Sequence, residues 1–186
     1  MKKQIAVIAG VGVLVVGLAV AGVLALQRHE ESWNDRDVSF ATNMVPHHEG
    51  AVEMADMLLE KDGIPTEVRT LAERIKSAQQ PEIDTMNGWL EDWDAQPMAM
   101  GGHGTHGAMV SGMMSDAEMQ ALMDATGLDA ARLFLEGMIT HHKGAIEMAQ
   151  VEVDEGKYPP AVWMAKSIVQ TQQSEITEME HLLADL

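Results

Sequence analysis

The stretch MVPHHEGAVEMA at residues 44–55 returns as MITHHKGAIEMA at residues 138–149. No other feature of the chain constrains its fold as strongly. At an offset of 94, Phe40, Met44, His47, His48, Gly50, Ala51, Glu53, Met54 and Ala55 match Phe134, Met138, His141, His142, Gly144, Ala145, Glu147, Met148 and Ala149. At an offset of 93, Gly63, Ala72, Ile75, Gln79, Gln80, Glu82, Ile83 and Met86 match Gly156, Ala165, Ile168, Gln172, Gln173, Glu175, Ile176 and Met179. One residue is lost in the turn and the rest keeps register. Each copy is then one supersecondary unit that buries its apolar face against its twin.

The residue types make that unit a helical hairpin. Ala, Leu, Glu and Met favour helix, and the aromatic content of 4% with few alternating Val, Ile and Thr gives strands little support. Helices are predicted over about 37–61, with Gly63 beyond the first, from Pro65 to about Trp93, from a cap at Asp129 to about Glu155, and from Pro159 to the C-terminus. Pro81 is expected to kink the second. A short helix capped by Ser115 and Glu118 should run to about Ala125 and close at Gly127. The expected fold is all-α, a four-helix bundle with a pseudo-two-fold axis, occupying residues 33–186.

Residues 1–30 differ in character. Two lysines precede an uncharged, Gly-interrupted apolar run that reads either as an uncleaved membrane anchor or as a signal segment cleaved near Ala19-Val20-Ala21. Either reading exports everything after Gln27, so the membrane is met through this segment only. An exported domain without a single cysteine has no disulfides and no thiolate ligands. Any metal site must use His, Met and carboxylate. The formal net charge of -17 argues against a nucleic-acid partner and for cations.

At 100° per residue, Met44 at 0° shares a face with His47 at about 300°, His48 at about 40°, Ala51 at about 340° and Ala55 at about 20°. Met44 is thus one turn from both histidines, close enough for thioether and imidazole to reach one ion. The same holds for Met138, His141 and His142. Across the axis, Met44 and His48 are expected to approach Met138 and His142 and to share an ion with them. Glu53 falls near 180°, so its recurrence as Glu147 points to a hydrogen bond or inter-helix contact instead. Met54, Met148, Met86 and Met179 read as core filler. Between the hairpins, the Gly-rich connection at 94–114 carries Met98, Met100, His103, His106, Met109, Met113 and Met114. A structureless segment of this length is functional or a linker, and thioether with imidazole favours Cu(I) and Cu(II) over Mg, Ca or Mn.

The doubled Met-x-x-His-His motif and the Gly/His/Met-rich bridge resemble domain-of-unknown-function family 305 over about residues 33–186. The resemblance implies a ferritin-like fold, a role in copper binding and tolerance, and Met44, His47, His48, Met138, His141 and His142 as ligands. The expected function is an exported, non-enzymatic protein that binds copper for buffering, tolerance or transfer, with another exported copper-handling protein as a partner. An extracytoplasmic interaction module with structural histidines is the alternative. A di-iron ferritin-like oxidase would need a Glu-x-x-His pair in each half, and only Glu178 to His181 supplies one.

Overall fold

Helix α1, Asp35–Leu59, starts two residues earlier than the sequence suggests, because Asn34 caps it. The Asn34 side chain accepts from the backbone N–H groups of Arg36 and Asp37, and Asp37 accepts in return from the Asn34 N–H. This reciprocal arrangement satisfies donors that a bare helix start leaves open. The computed structural model describes residues 33–96 and 111–186. After α1 come α2, Thr66–Asp92, the short α3, Asp116–Asp124, then α4, Gly127–Glu155, and α5, Pro159–Asp185. The described residues are all-helical, with no strand.

Two corrections concern boundaries. Ala125 closes α3, whereas Gly127, expected as its stop, is already the first residue of α4, whose N-cap is Thr126 and not Asp129. The two-residue link leaves no room for a separate stop and start. Helices α1 and α2 run on through Pro46 and Pro81. Each proline removes one backbone donor, so the carbonyls of Thr42 and Ser77 lose their usual partners without the helix ending.

The hairpins are α1 with α2 and α4 with α5, and they meet chiefly through α1 against α4, while α3 packs on both. Arg74 of α2 also pairs with Glu178 of α5. Two apolar clusters fill the interior. One gathers Met54, Leu58, Leu71, Ile75, Phe134, Met138 and Ile176; the other gathers Phe40, Met44, Ile83, Met86, Ala149, Ala165 and Ile168. Along every long helix the change from one cluster to the other falls at polar residues: His47 and His48, Gln79 and Glu82, His141 and His142, Gln172 and Glu175. A polar layer therefore cuts the core midway.

Asn34–Leu186 forms one compact unit. The expected anchor or signal segment lies outside the described residues. Among those described, no helix is long and apolar enough to cross a membrane.

Candidate metal centre

The repeated histidines lie in the polar layer because helical spacing puts them on the face that also carries Met44, Ala51 and Ala55. All four are buried, at 0% exposure for His47, His48 and His142 and 1% for His141. His47 and His141 meet across the two repeats, with ring centroids 3.7 Å apart and planes inclined by 37°. His48 and His142 each find a carboxylate within their own hairpin. The distance from Nε2 to Glu82 Oε2 is 2.8 Å for His48, and that to Glu175 Oε2 is 2.8 Å for His142. His47 Nε2 lies 3.1 Å from the Ser111 carbonyl.

These partners fix which nitrogen remains for other chemistry. Carboxylates and carbonyls only accept, so Nε2–H donates in His47, His48 and His142, and Nδ1 is left over. Nδ1 has no hydrogen-bond partner in any of the four rings, and His141 has none at Nε2 either. Burial first, then the neighbouring His48, draws the His47 pKa from 6.5 to about 3, with the Ser111 carbonyl opposing. Burial, followed by His47, His142 and His48, holds His141 well below its usual value, opposed by the His47 backbone carbonyl, which lies near the ring but outside hydrogen-bonding geometry. Both rings are neutral at physiological pH, with lone pairs buried away from water.

The last residues of the connection close the layer from one side. Gly112 has φ +86, a conformation that L side chains rarely adopt, and lies against the Thr140 and His141 carbonyls. A Cβ on Gly144 would stand 1.9 Å from the Ser111 carbonyl oxygen. The glycine that follows the second histidine pair thus admits the backbone that binds the first pair. Ser111 Oγ also donates to Glu147 Oε2 at 2.8 Å, the contact that accounts for one of the two repeated glutamates.

Of the expected ligands, His47, His48, His141 and His142 come together. Met44 and Met138 are fully buried but belong to different apolar clusters, so the expected approach of Met44 to Met138 is replaced by that of His47 to His141. Met113 and Met114 are half-buried. Met98, Met100, His103, His106 and Met109 lie outside the described residues. Met54, Met86 and Met179 are buried, as core filler is, while Met148 is half-buried. Among the described residues no three His, Cys, Asp or Glu side chains stand around one point as a metal cage.

Sequence reasoning assigned nothing to Glu82, Glu175, Gln79 and Gln172. The buried amide of Gln79 has neither group paired, and the Gln172 carbonyl is likewise unpaired. Their recurrence one residue out of step with the histidines was the signal available.

The solved structures with this fold are informative. A DUF305 fragment from Deinococcus radiodurans is 32% identical, with a TM-score of 0.73, covering 83% of this chain and 99% of that one. A DUF305 protein from Streptomyces coelicolor, named as secreted, is 33% identical with a TM-score of 0.72, covering 81% and 91%. CopM in its Cu(II)-bound form is 31% identical with a TM-score of 0.68, covering 80% and 96%. CopM is also solved in Cu(I)-bound, silver-bound and apo forms. No curated protein matches the chain. The sequence model of the family described as Domain of unknown function (DUF305) matches residues 37–183, and the chain belongs to that family.

Proposed function

We propose that the chain is an extracytoplasmic copper-binding protein, non-enzymatic, which takes the ion as cargo in the polar layer of a four-helix, ferritin-like bundle. The observation that carries this reading is the His47–His141 pair. Two buried, neutral imidazoles from the two repeats face each other with unpaired nitrogens, and such atoms are costly to bury unless something binds them. His48 and His142 supply further nitrogen. Their Glu82 and Glu175 partners act as outer carboxylates do at metal sites, fixing the orientation of the ring. Because no cage stands ready among the described residues, loading turns the imidazoles toward a common ion, with thioether sulfur completing the set. Imidazole with thioether suits copper in both oxidation states. The likeness to CopM, solved with Cu(II) and Cu(I), supports the same choice. Sixteen methionines and the absence of cysteine in the chain agree with it.

Anaerobic titration of the full-length chain with Cu(I) against a competing chelator tests the reading. Substituting His47 and His48 by alanine should weaken binding about as much as substituting His141 and His142. Combining the pairs should add little, since ligands of one ion are not additive. Strictly additive losses would mean two independent sites, and no uptake by the unaltered chain would remove the copper assignment.

A further inference from the structure

Beside the histidine layer, a cavity of about 350 Å³ opens between α1, α3, α4 and the end of the connection. Met54, Met113, Met114 and Met119 line it together with His141, and Glu53 and Asp116 complete its wall. Four thioethers from three separate segments thus face one space. Met54 is itself 1% exposed within an apolar cluster and meets the cavity from the core side, whereas Met86 and Met179, packed at 0% exposure, do not line it.

Two bare helix positions seat two of these sulfurs, those of Met113 and Met114. A Cβ on Gly50 would lie 3.0 Å from Met113 Cε, 3.4 Å from its Sδ and 3.6 Å from His141 Nε2. One point above α1 is therefore within 3.6 Å of both a thioether sulfur and an imidazole nitrogen. A Cβ on Gly137 would lie 2.8 Å from Met114 Sδ and 3.2 Å from Met54 Cε. The independent observation is His141 itself, 1% exposed and with neither ring nitrogen hydrogen-bonded.

We infer that this chamber is a second metal site, dominated by thioether and selective for a soft monovalent cation. Met54, Met113, Met114 and Met119 are its sulfur donors, and His141 Nε2 is the nitrogen through which it adjoins the histidine layer. The inference rests on the copper reading for the ion's identity. Neutral sulfur donors discriminate against hard cations and in favour of Cu(I), whose closed-shell analogue is Ag(I). Glu53 and Asp116 add attraction for a cation at the wall. His141, shared by chamber and layer, gives an ion a path of one side chain between them.

The test uses the full-length chain with its methionine methyl groups labelled with carbon-13, titrated with Ag(I), which needs no reductant. The Met54, Met113, Met114 and Met119 methyl signals should shift together, and those of Met86 and Met179 should stay. The double substitution Met54→Leu with Met119→Leu conserves volume and should lower Ag(I) affinity at this site at least tenfold while Cu(II) binding is kept. Unchanged Ag(I) affinity in that variant, or shifts confined to other methionines, would overturn the inference. If the double variant does not fold, the spectrum of the unaltered chain decides alone. Chamber shifts in a chain that takes up no copper at the histidine layer would uphold the chamber and sink only the function proposed for the layer.

Discussion

Glu82 and Glu175 hold His48 and His142 by bonds of equal length in the two repeats, so one carboxylate per hairpin decides how a buried ring is turned. Glu82 retains 27% side-chain exposure and Glu175 9%, which makes the second pair the less screened of the two. A glutamine in either place keeps an acceptor for Nε2–H but loses the charge. Glu82→Gln and Glu175→Gln should therefore leave the helical fold intact and weaken copper binding by about 10- to 100-fold, the usual effect of removing an outer carboxylate. Competition titration of the two variants measures this, and the Glu175 change should have the larger effect. Unchanged affinity in both would make the carboxylates mere hydrogen-bond acceptors for structural histidines. The histidines themselves were legible from their spacing. The glutamates were not, because their role depends on a neighbouring helix, and periodicity within one helix says nothing about its neighbour.

Residues 111–114, at the end of the connection, matter more than their composition suggests. They tie α1 to α4 through the Ser111 carbonyl on His47 and the Ser111 hydroxyl on Glu147. Gly144 permits this only because it has no side chain, since a Cβ there would stand 1.9 Å from the Ser111 oxygen. Two effects oppose each other in Gly144→Ala. Alanine improves the helix by roughly 0.5–1 kcal/mol, while lifting the segment forfeits two hydrogen bonds worth about 0.5–1.5 kcal/mol each. Global stability should accordingly fall by only about 1 kcal/mol, whereas the segment should come away from α4. Limited proteolysis should then cut near 111–114 much sooner in the variant, with little change in the urea midpoint. Equal cleavage rates would mean that the segment is held from elsewhere. That Met113 and Met114 could be ligands was readable from their type. The seating of their backbone against a glycine was not, because a loop crossing a helix leaves no periodic trace.

At the scale of the whole molecule, the repeat and the helical propensities sufficed for an all-helical chain built from two hairpins, since both properties are local and occur twice. The polar layer needs the antiparallel register of all four long helices, in which Gln79 and Glu82 come level with the histidines. Only the folded chain supplies that register. A second buried polar feature, absent from the repeat, joins the start of α1 to the α4–α5 turn. Asp37 accepts from the Lys157 and Tyr158 N–H groups, and Glu152 lies against it, its pKa raised from 4.5 to about 8 by burial first and then by Asp37. At Glu152 the folded chain thus binds more protons than the unfolded one between pH 4.5 and about 8. Glu152 contributes stability that is complete below 4.5 and lost as pH rises through 8. His47, drawn from 6.5 to about 3, has the opposite sign, with stability complete above 6.5 and lost as pH falls toward 3. Each proton changes stability by roughly 1.4 kcal/mol per pH unit within its window. Above pH 6.5 only the Glu152 term still acts among these two, so the metal-free chain should weaken between pH 6.5 and 8. Glu152→Gln keeps the neutral shape without a titrating group and should remove that decline while leaving the acid limb unchanged. Urea unfolding at pH 6.5 and 8 should show the unaltered chain losing about 1–2 kcal/mol more than the variant over this interval; parallel losses in the two proteins would mean that Glu152 is already ionised at neutral pH, and that Asp37 is not the neighbour that holds its proton in place.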